Sequence, residues 1–248
     1  MLRNLQTSRQ AMLFEQTRIE TLANNLANAA TSGFRQVLTR VAEQTAVARA
    51  GADGRRSTAP REPELAMSHA VDLRPGALQG TERATDLALS GRGFFVVRDE
   101  DGNEFYTRDG GFRLDDTGRL VTAQGLPVQG TSGPVQAGGG TFTVDGDGNV
   151  TVDGAVRGRL RVVDFPQPGR LQPRGDGLLV AAADAEPADV PLGETAVLQG
   201  YLEDSNVDPV QTLVDMIAAQ RAFEIEAKVL QANDELLGKS VNQLGRNG

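Results

Sequence analysis

The chain has 248 residues, with 25 Lys and Arg against 33 Asp and Glu, a formal charge of −8, one His and no Cys. Without Cys there are no disulfides, thiolate zinc sites or thiol nucleophiles, and scattered basic residues in an acidic chain offer no landing stripe for a phosphate backbone, which excludes nucleic acid as a partner. The length suffices for two small domains, each with its own core.

The first predicted element is a helix. Leu5, Met12, Ile19 and Leu26 recur every seven residues, Leu22 widens the apolar stripe, and neither Gly nor Pro appears before Gly33. Polar residues such as Asn4, Gln6, Thr7, Ser8 and Gln10 interrupt this start, so no cleavable secretory signal is expected. No apolar run approaches the roughly 20 residues of a membrane span. Residues 1–35 are therefore assigned to the N-terminal helix of a helical domain. Residues 36–75 follow as an extended linker, with Gly51, Gly54, Pro60 and Pro63 giving its middle the composition of a connector.

From Gly76 the composition turns to short strands punctuated by Gly and Asp, among them Phe94 to Arg98, Glu104 to Thr107, Phe142 to Val144, Arg157 to Phe165 and Val197 to Tyr201. Turns such as Asp101-Gly102-Asn103 and Asp145 to Asn149 separate them, the spacing of a meandering β domain over residues 76–205. Gly91 and Gly93 lack the third glycine of a dinucleotide fingerprint and are expected to kink the backbone before Phe94 and Phe95.

Residues 206–248 form the C-terminal helix. Asp208 stands at the N-cap and Pro209 at the first helical position. Met216, Phe223, Leu230 and Leu237 repeat at seven residues behind Leu213, with Gln220 as a polar member, which predicts a seam pairing this helix with the N-terminal one. A second apolar line, Val214, Ala218, Ile225, Val229 and Leu236, runs along another side, so one partner cannot cover everything the helix exposes. The expected fold class is α+β: paired N- and C-terminal helices forming a coiled-coil-like domain, with a central all-β domain inserted between them.

No catalytic or metal site is expected. The loops opening at Asp145 and Asp99 resemble calcium loops only at their start, because Val150 and Glu104 replace the sixth-position Gly and Val156 and Gly110 the closing Glu. His69 is alone, so no multi-histidine metal site can form, and without Trp and with only two Tyr the chain has no sugar platform for paired carboxylates. The expectation is no cofactor and no enzymatic activity.

Three segments carry a resemblance. LANNLANAATSGFR, residues 22–35, holding Asn24, Asn25, Leu26, Asn28, Gly33 and Phe34, resembles the N-terminal signature of bacterial flagellar rod and hook proteins. LALSGRGFFVV, residues 87–97, with Gly93, Phe94 and Phe95, is similar to their central segment. The run from Leu198 to Leu237, with Ser205, Asn206, Val207, Gln220 and Arg221, is similar to their C-terminal segment. Within the family, the segment Gly158 to Leu171 looks most like the proximal rod members adjoining the distal rod, with distal rod members next.

The resemblance implies a structural subunit of the basal-body rod, stacking helically with copies of itself and other rod proteins into the shaft that carries motor torque to hook and filament. It also implies export through the flagellar type III apparatus, a rod crossing the periplasm, and ring proteins as possible neighbours. A distal rod or hook-type subunit is one alternative. A free exported β-rich binding or adhesion protein is the other.

Overall fold

The computed structural model describes residues 2–44, 64–138, 140–182, 185–191 and 193–244, with side chains described throughout except at 2–8, 41–44, 64–67, 168, 233–234 and 236–244. The predicted connector at 51–63 and the side chains of Leu5, Leu236 and Leu237 thus lie outside the described residues. The described residues fall into two compact units, one within Met1–Thr21, Leu38–His69 and Asp215–Gly248, the other within Leu22–Val37 and Ala70–Val214.

The first unit holds most of α1 (Leu2–Ala27), a two-stranded sheet of β1 (Val37–Gln44) and β2 (Glu64–Val71), and most of α2 (Pro209–Leu244). Strands β1 and β2 form where a linker was expected; Val37, Leu38, Thr39 and Val41 bring strand propensity that the lack of a clear alternation concealed. Along α2, Met216, Phe223 and Leu230 are half-buried and Ala219 is fully buried, whereas Val214, Ala218, Ile225 and Val229 face solvent.

The α+β composition is present, but the expected coiled-coil-like pairing of the terminal helices is corrected by the structure. Among the described residues no coiled-coil-like packing of α1 along α2 is shown. Leu213, which heads the predicted seam, is 42% exposed, and Met12, Ile19 and Leu26 are only half-buried. The physical reason lies in what else α1 meets. Thr39 on β1 donates its hydroxyl to Thr21 Oγ1 at 2.9 Å, and the Asn25 side chain both donates to Val37 O at 2.7 Å and accepts from Val37 N at 2.9 Å. The C-terminal half of α1 is thus bound by β1, and the predicted seam carries a polar member, Gln220, which is exposed.

The second unit is almost entirely β. Its main sheet has six antiparallel strands in the order Leu171–Gly175, Leu178–Ala181, β6 (Glu104–Thr107), β5 (Phe94–Arg98), Val162–Asp164 and Ala188–Asp189, where β3 (Leu78–Gly80) and β4 (Leu87–Ser90) pair elsewhere. Strand β5 explains the continuous run Phe94-Phe95-Val96-Val97. Successive side chains of a strand point to opposite faces; Phe95 and Val97 enter one core with Leu87, Phe112 and Leu120, while Phe94 and Val96 enter another with Tyr106, Phe165 and Leu171. Both faces are covered, so no polar residue alternates.

Gly91 and Gly93 have φ of 132° and 105°, a turn only glycine makes without strain, and at Gly93 a Cβ would lie 2.9 Å from Val162 Cγ1. The predicted strand from Arg157 to Phe165 is instead two, Ala155–Arg159 and Val162–Asp164, and Val197 to Tyr201 divides at Gly200 into Ala196–Gln199, paired with β4, and Tyr201–Glu203, paired with β3. In each case the chain changes sheets at the break.

The acidic turns are closed by their own donors. Asp145 Oδ1 accepts from the backbone N–H of Asp147 at 3.0 Å and of Asn149 at 2.9 Å, while Asn149 Nδ2 donates to Oδ2 at 2.9 Å. Asp99 is held alike by Asn103, and Asp115 by Thr117 and Arg119. Hydrogen bonds from the side chains of Asn103, Thr117 and Asn149, in first place, hold these three carboxyls below the usual value of 3.8.

Because folding depresses these values, the turns' contribution is fully present above the unfolded carboxylate pKa and is lost as pH falls through the folded ones. The melting midpoint of the β unit should therefore be flat from about pH 5 to 7 and decline below about pH 4, and Asp115→Asn should shallow that decline. Thermal melts across pH measure it; an identical slope in the variant would contradict the assignment. In the core, Phe95→Ala should destabilise by about 3–5 kcal/mol, read from denaturant titration, since Phe95 is fully buried and packs edge-on to Phe112 at 5.2 Å.

Candidate functional site: the joint of the terminal motifs

After α1 ends, the chain turns through residues 28–33. Asn28 Nδ2 donates back to Asn24 O at 2.9 Å, and Asn28 Oδ1 accepts from Thr31 Oγ1 at 3.3 Å. Gly33, with φ of 64°, lies so close to the backbone of Arg108 and Asp109 that no Cβ fits there. Its neighbour Ser32 donates to Asp109 Oδ1 at 2.6 Å, and Gly33 N donates to Glu203 O at 2.6 Å. Phe34 is buried beside it.

Glu203 is the centre of this region. Only 1% exposed, it accepts at Oε1 from Arg35 Nη2 at 2.6 Å and from Gly76 N at 2.8 Å, and at Oε2 from Arg108 Nη1 at 3.2 Å. Arg108 also donates to Leu89 O at 3.1 Å and Gly91 O at 2.6 Å, and its guanidinium lies 5.6 Å from the Phe94 ring centre. Burial pushes its pKa down to about 10, against the pull of Glu203. On the carboxylate side the hydrogen-bonding capacity is met, since Glu203 accepts three bonds, while Arg35 Nε and Nη1 and Arg108 Nε have no acceptor among the described residues.

A second node lies three residues on. Asn206 Oδ1 accepts from Gln36 N at 2.7 Å, and Asn206 Nδ2 donates to Asp72 O and Arg74 O, each at 2.9 Å. Asn206 N donates to Phe34 O at 3.3 Å. Ser205 Oγ accepts from Val207 N at 3.2 Å, and Val207 is buried. Asp208 then caps α2, its Oδ1 accepting from Val210 N at 2.9 Å and Gln211 N at 3.1 Å.

The structure therefore brings Asn25, Gly33, Phe34, Ser205, Asn206 and Val207, from opposite ends of the chain, into one region. It does not bring Gln220 and Arg221 there: both are exposed on α2. Asn24 is exposed and Leu26 half-buried on α1, and Gly93, Phe94 and Phe95 serve the β cores. Sequence reasoning missed Arg35, Arg108 and Glu203. The available signal was that charged residues stand directly beside motif residues and at strand positions, where Glu203 follows Tyr201 and Leu202. His69 lies exposed on β2.

Known proteins match along most of the chain. The description "Flagella basal body rod protein" fits residues 5–35, "Flagellar hook protein FlgE/F/G D1 domain" residues 88–152, and "Flagellar basal body rod FlgEFG protein C-terminal" residues 198–244. The flagellar basal-body rod protein FlgF of Salmonella typhimurium is 38% identical over 235 residues, 90% of each chain. The rod protein FlgG of Buchnera aphidicola is 34% identical over 261 residues, 96% of this chain and 98% of its own, and that of Bacillus subtilis is 31% identical over 98% of this chain and 99% of its own.

Gly33→Ala should open the joint. The strained backbone alone accounts for about 1–3 kcal/mol, before any clash with the Arg108–Asp109 peptide. Thermal denaturation should show the loss, and an unchanged melting curve would mean the close approach does not matter.

Proposed function

We propose, because the chain belongs to the family of flagellar basal-body rod proteins that includes FlgF and FlgG, that its terminal helices bear the contacts to neighbouring subunits while the β unit folds independently of them. The chain is a structural subunit of the basal-body rod and associates with other rod proteins. The observation that carries the finer reading is the exposed apolar line of α2: Val214 is 55% exposed, Ile225 61% and Val229 43%, on a helix whose opposite side is half-buried. A folded chain leaves such a line open to water when another molecule is to cover it. The half-buried row of Met216, Phe223 and Leu230, with Met12 and Ile19 on α1, is assigned to the same assembly role.

The subunit is a passive part of the shaft, with no catalytic role. Among the described residues no helix is long and apolar enough to cross a membrane. The family supports a place in the basal-body rod, and on the proposed reading the chain is delivered by the flagellar export apparatus and has ring proteins as neighbours. The FlgF-type position next to the distal rod is favoured by the 38% identity to the Salmonella chain. The FlgG-type position is the second reading, supported by alignment to the Buchnera chain over 96% of this one.

Ile225→Asp separates assembly from folding. Because Ile225 is exposed, the purified variant should melt within about 0.5 kcal/mol of the parent. Cells relying on it should be non-motile, with basal bodies lacking the rod beyond this subunit, while Leu114→Asp, on the exposed edge of the β unit, should leave swimming intact. Normal motility with Ile225→Asp would remove the exposed line as an assembly surface.

A further inference from the structure

Three segments of the second unit, termed crossings, adjoin its chain connections to the first: residues 28–37 after α1, residues 71–76 after β2 and residues 203–208 before α2. Glu203 and Asn206, on the third, hold the other two. The Glu203 carboxylate takes Arg35 from the first crossing and Gly76 N from the second, and through Arg108 it reaches the carbonyls of Leu89 in β4 and of Gly91 in the turn after it. Asn206 takes Gln36 N from the first crossing and the carbonyls of Asp72 and Arg74 from the second. A direct bond from Asp72 N to Gln36 O at 2.8 Å joins the first two crossings to each other.

We infer that Glu203 and Asn206 form a clamp that makes the three crossings open and close as one cooperative unit, so that force reaching the helices enters the β unit through all three strands of chain together. The mechanical use rests on the rod reading; the cooperativity does not. Connected polar networks in a dry interior are worth more together than their separate bonds, and the charge balance shows which group ties this one. Two buried guanidiniums share a single carboxylate, and Arg35 Nε and Nη1 and Arg108 Nε have no acceptor among the described residues. Arg108 keeps two carbonyl acceptors if the carboxylate loses its charge, whereas the side chain of Arg35 has Glu203 alone as its acceptor among the described residues.

Amide exchange on the purified full-length protein tests this without any assembly. In Glu203→Gln, the amides of Gln36, Asp72 and Asn206, none of which touches the altered side chain, should exchange at least tenfold faster, in step with Gly76, while the amides of β5 and β6 keep their protection. Adding Arg35→Gln restores the parent's buried charge of one excess cation and removes the orphaned group, so it should return most of the lost protection. Acceleration confined to Gly76 would overturn the clamp, leaving independent contacts. Equal acceleration of β5 and β6 would overturn it too, making Glu203 a determinant of the whole fold, as would a double variant no better than the single.

Discussion

One buried carboxylate ties together three segments of the β unit that are far apart in the sequence. Glu203 sits at 1% exposure between two arginines, one from the segment after α1 and one from the β unit. Such an arrangement adds little net stability over an apolar substitute, yet losing one partner from it costs about 3–5 kcal/mol because a charge is stranded in a dry place. What it contributes is position. Among the described residues the Arg35 side chain has Glu203 alone as its acceptor, and the residues before it, with Gly33 pressed on the Arg108–Asp109 peptide, meet the β unit at the same place. From there Asn206 and the Asp208 cap determine where α2 begins.

Much of the fold was legible because local and global signals agree. Asp208-Pro209 marked the start of α2, and the run from Phe94 to Arg98 marked a strand, which the fold then buries on both faces. The strands that escaped notice break a local rule. Leu171–Gly175 carries Pro173 and a register shift at an edge, and β1 and β2 show no clean alternation. Their pairing is imposed by tertiary context, which a single sequence does not display. The seven-residue repeats were misread for a related reason: a heptad records that a helix face is apolar, and it does not name what covers that face. Strand β1 engages α1 through bonds of Thr39 to Thr21 and of Val37 to Asn25, and coiled-coil pairing of the helices is not shown among the described residues.

The joint was half legible. Its uncharged members stood in the motifs that carry the family resemblance, but Arg35 and Glu203 lie 168 residues apart in the chain. Nothing local announces a partner at that distance. Only the fold converts two ordinary surface-type residues into a buried pair.

Two kinds of surface result, and they behave differently. The turns of the β unit are polar and closed by their own side chains, while α2 presents Val214, Ile225 and Val229 to solvent. A chain with no Cys allows the difference to be read directly. A single thiol at Val229→Cys should react quickly with a maleimide in the purified monomer and become protected in rods isolated from cells, while a thiol at Asp116→Cys, in an exposed turn, should react in both. A thiol at position 229 that stays as reactive in isolated rods as in the monomer would contradict this, because subunits would then meet somewhere other than the exposed line of α2.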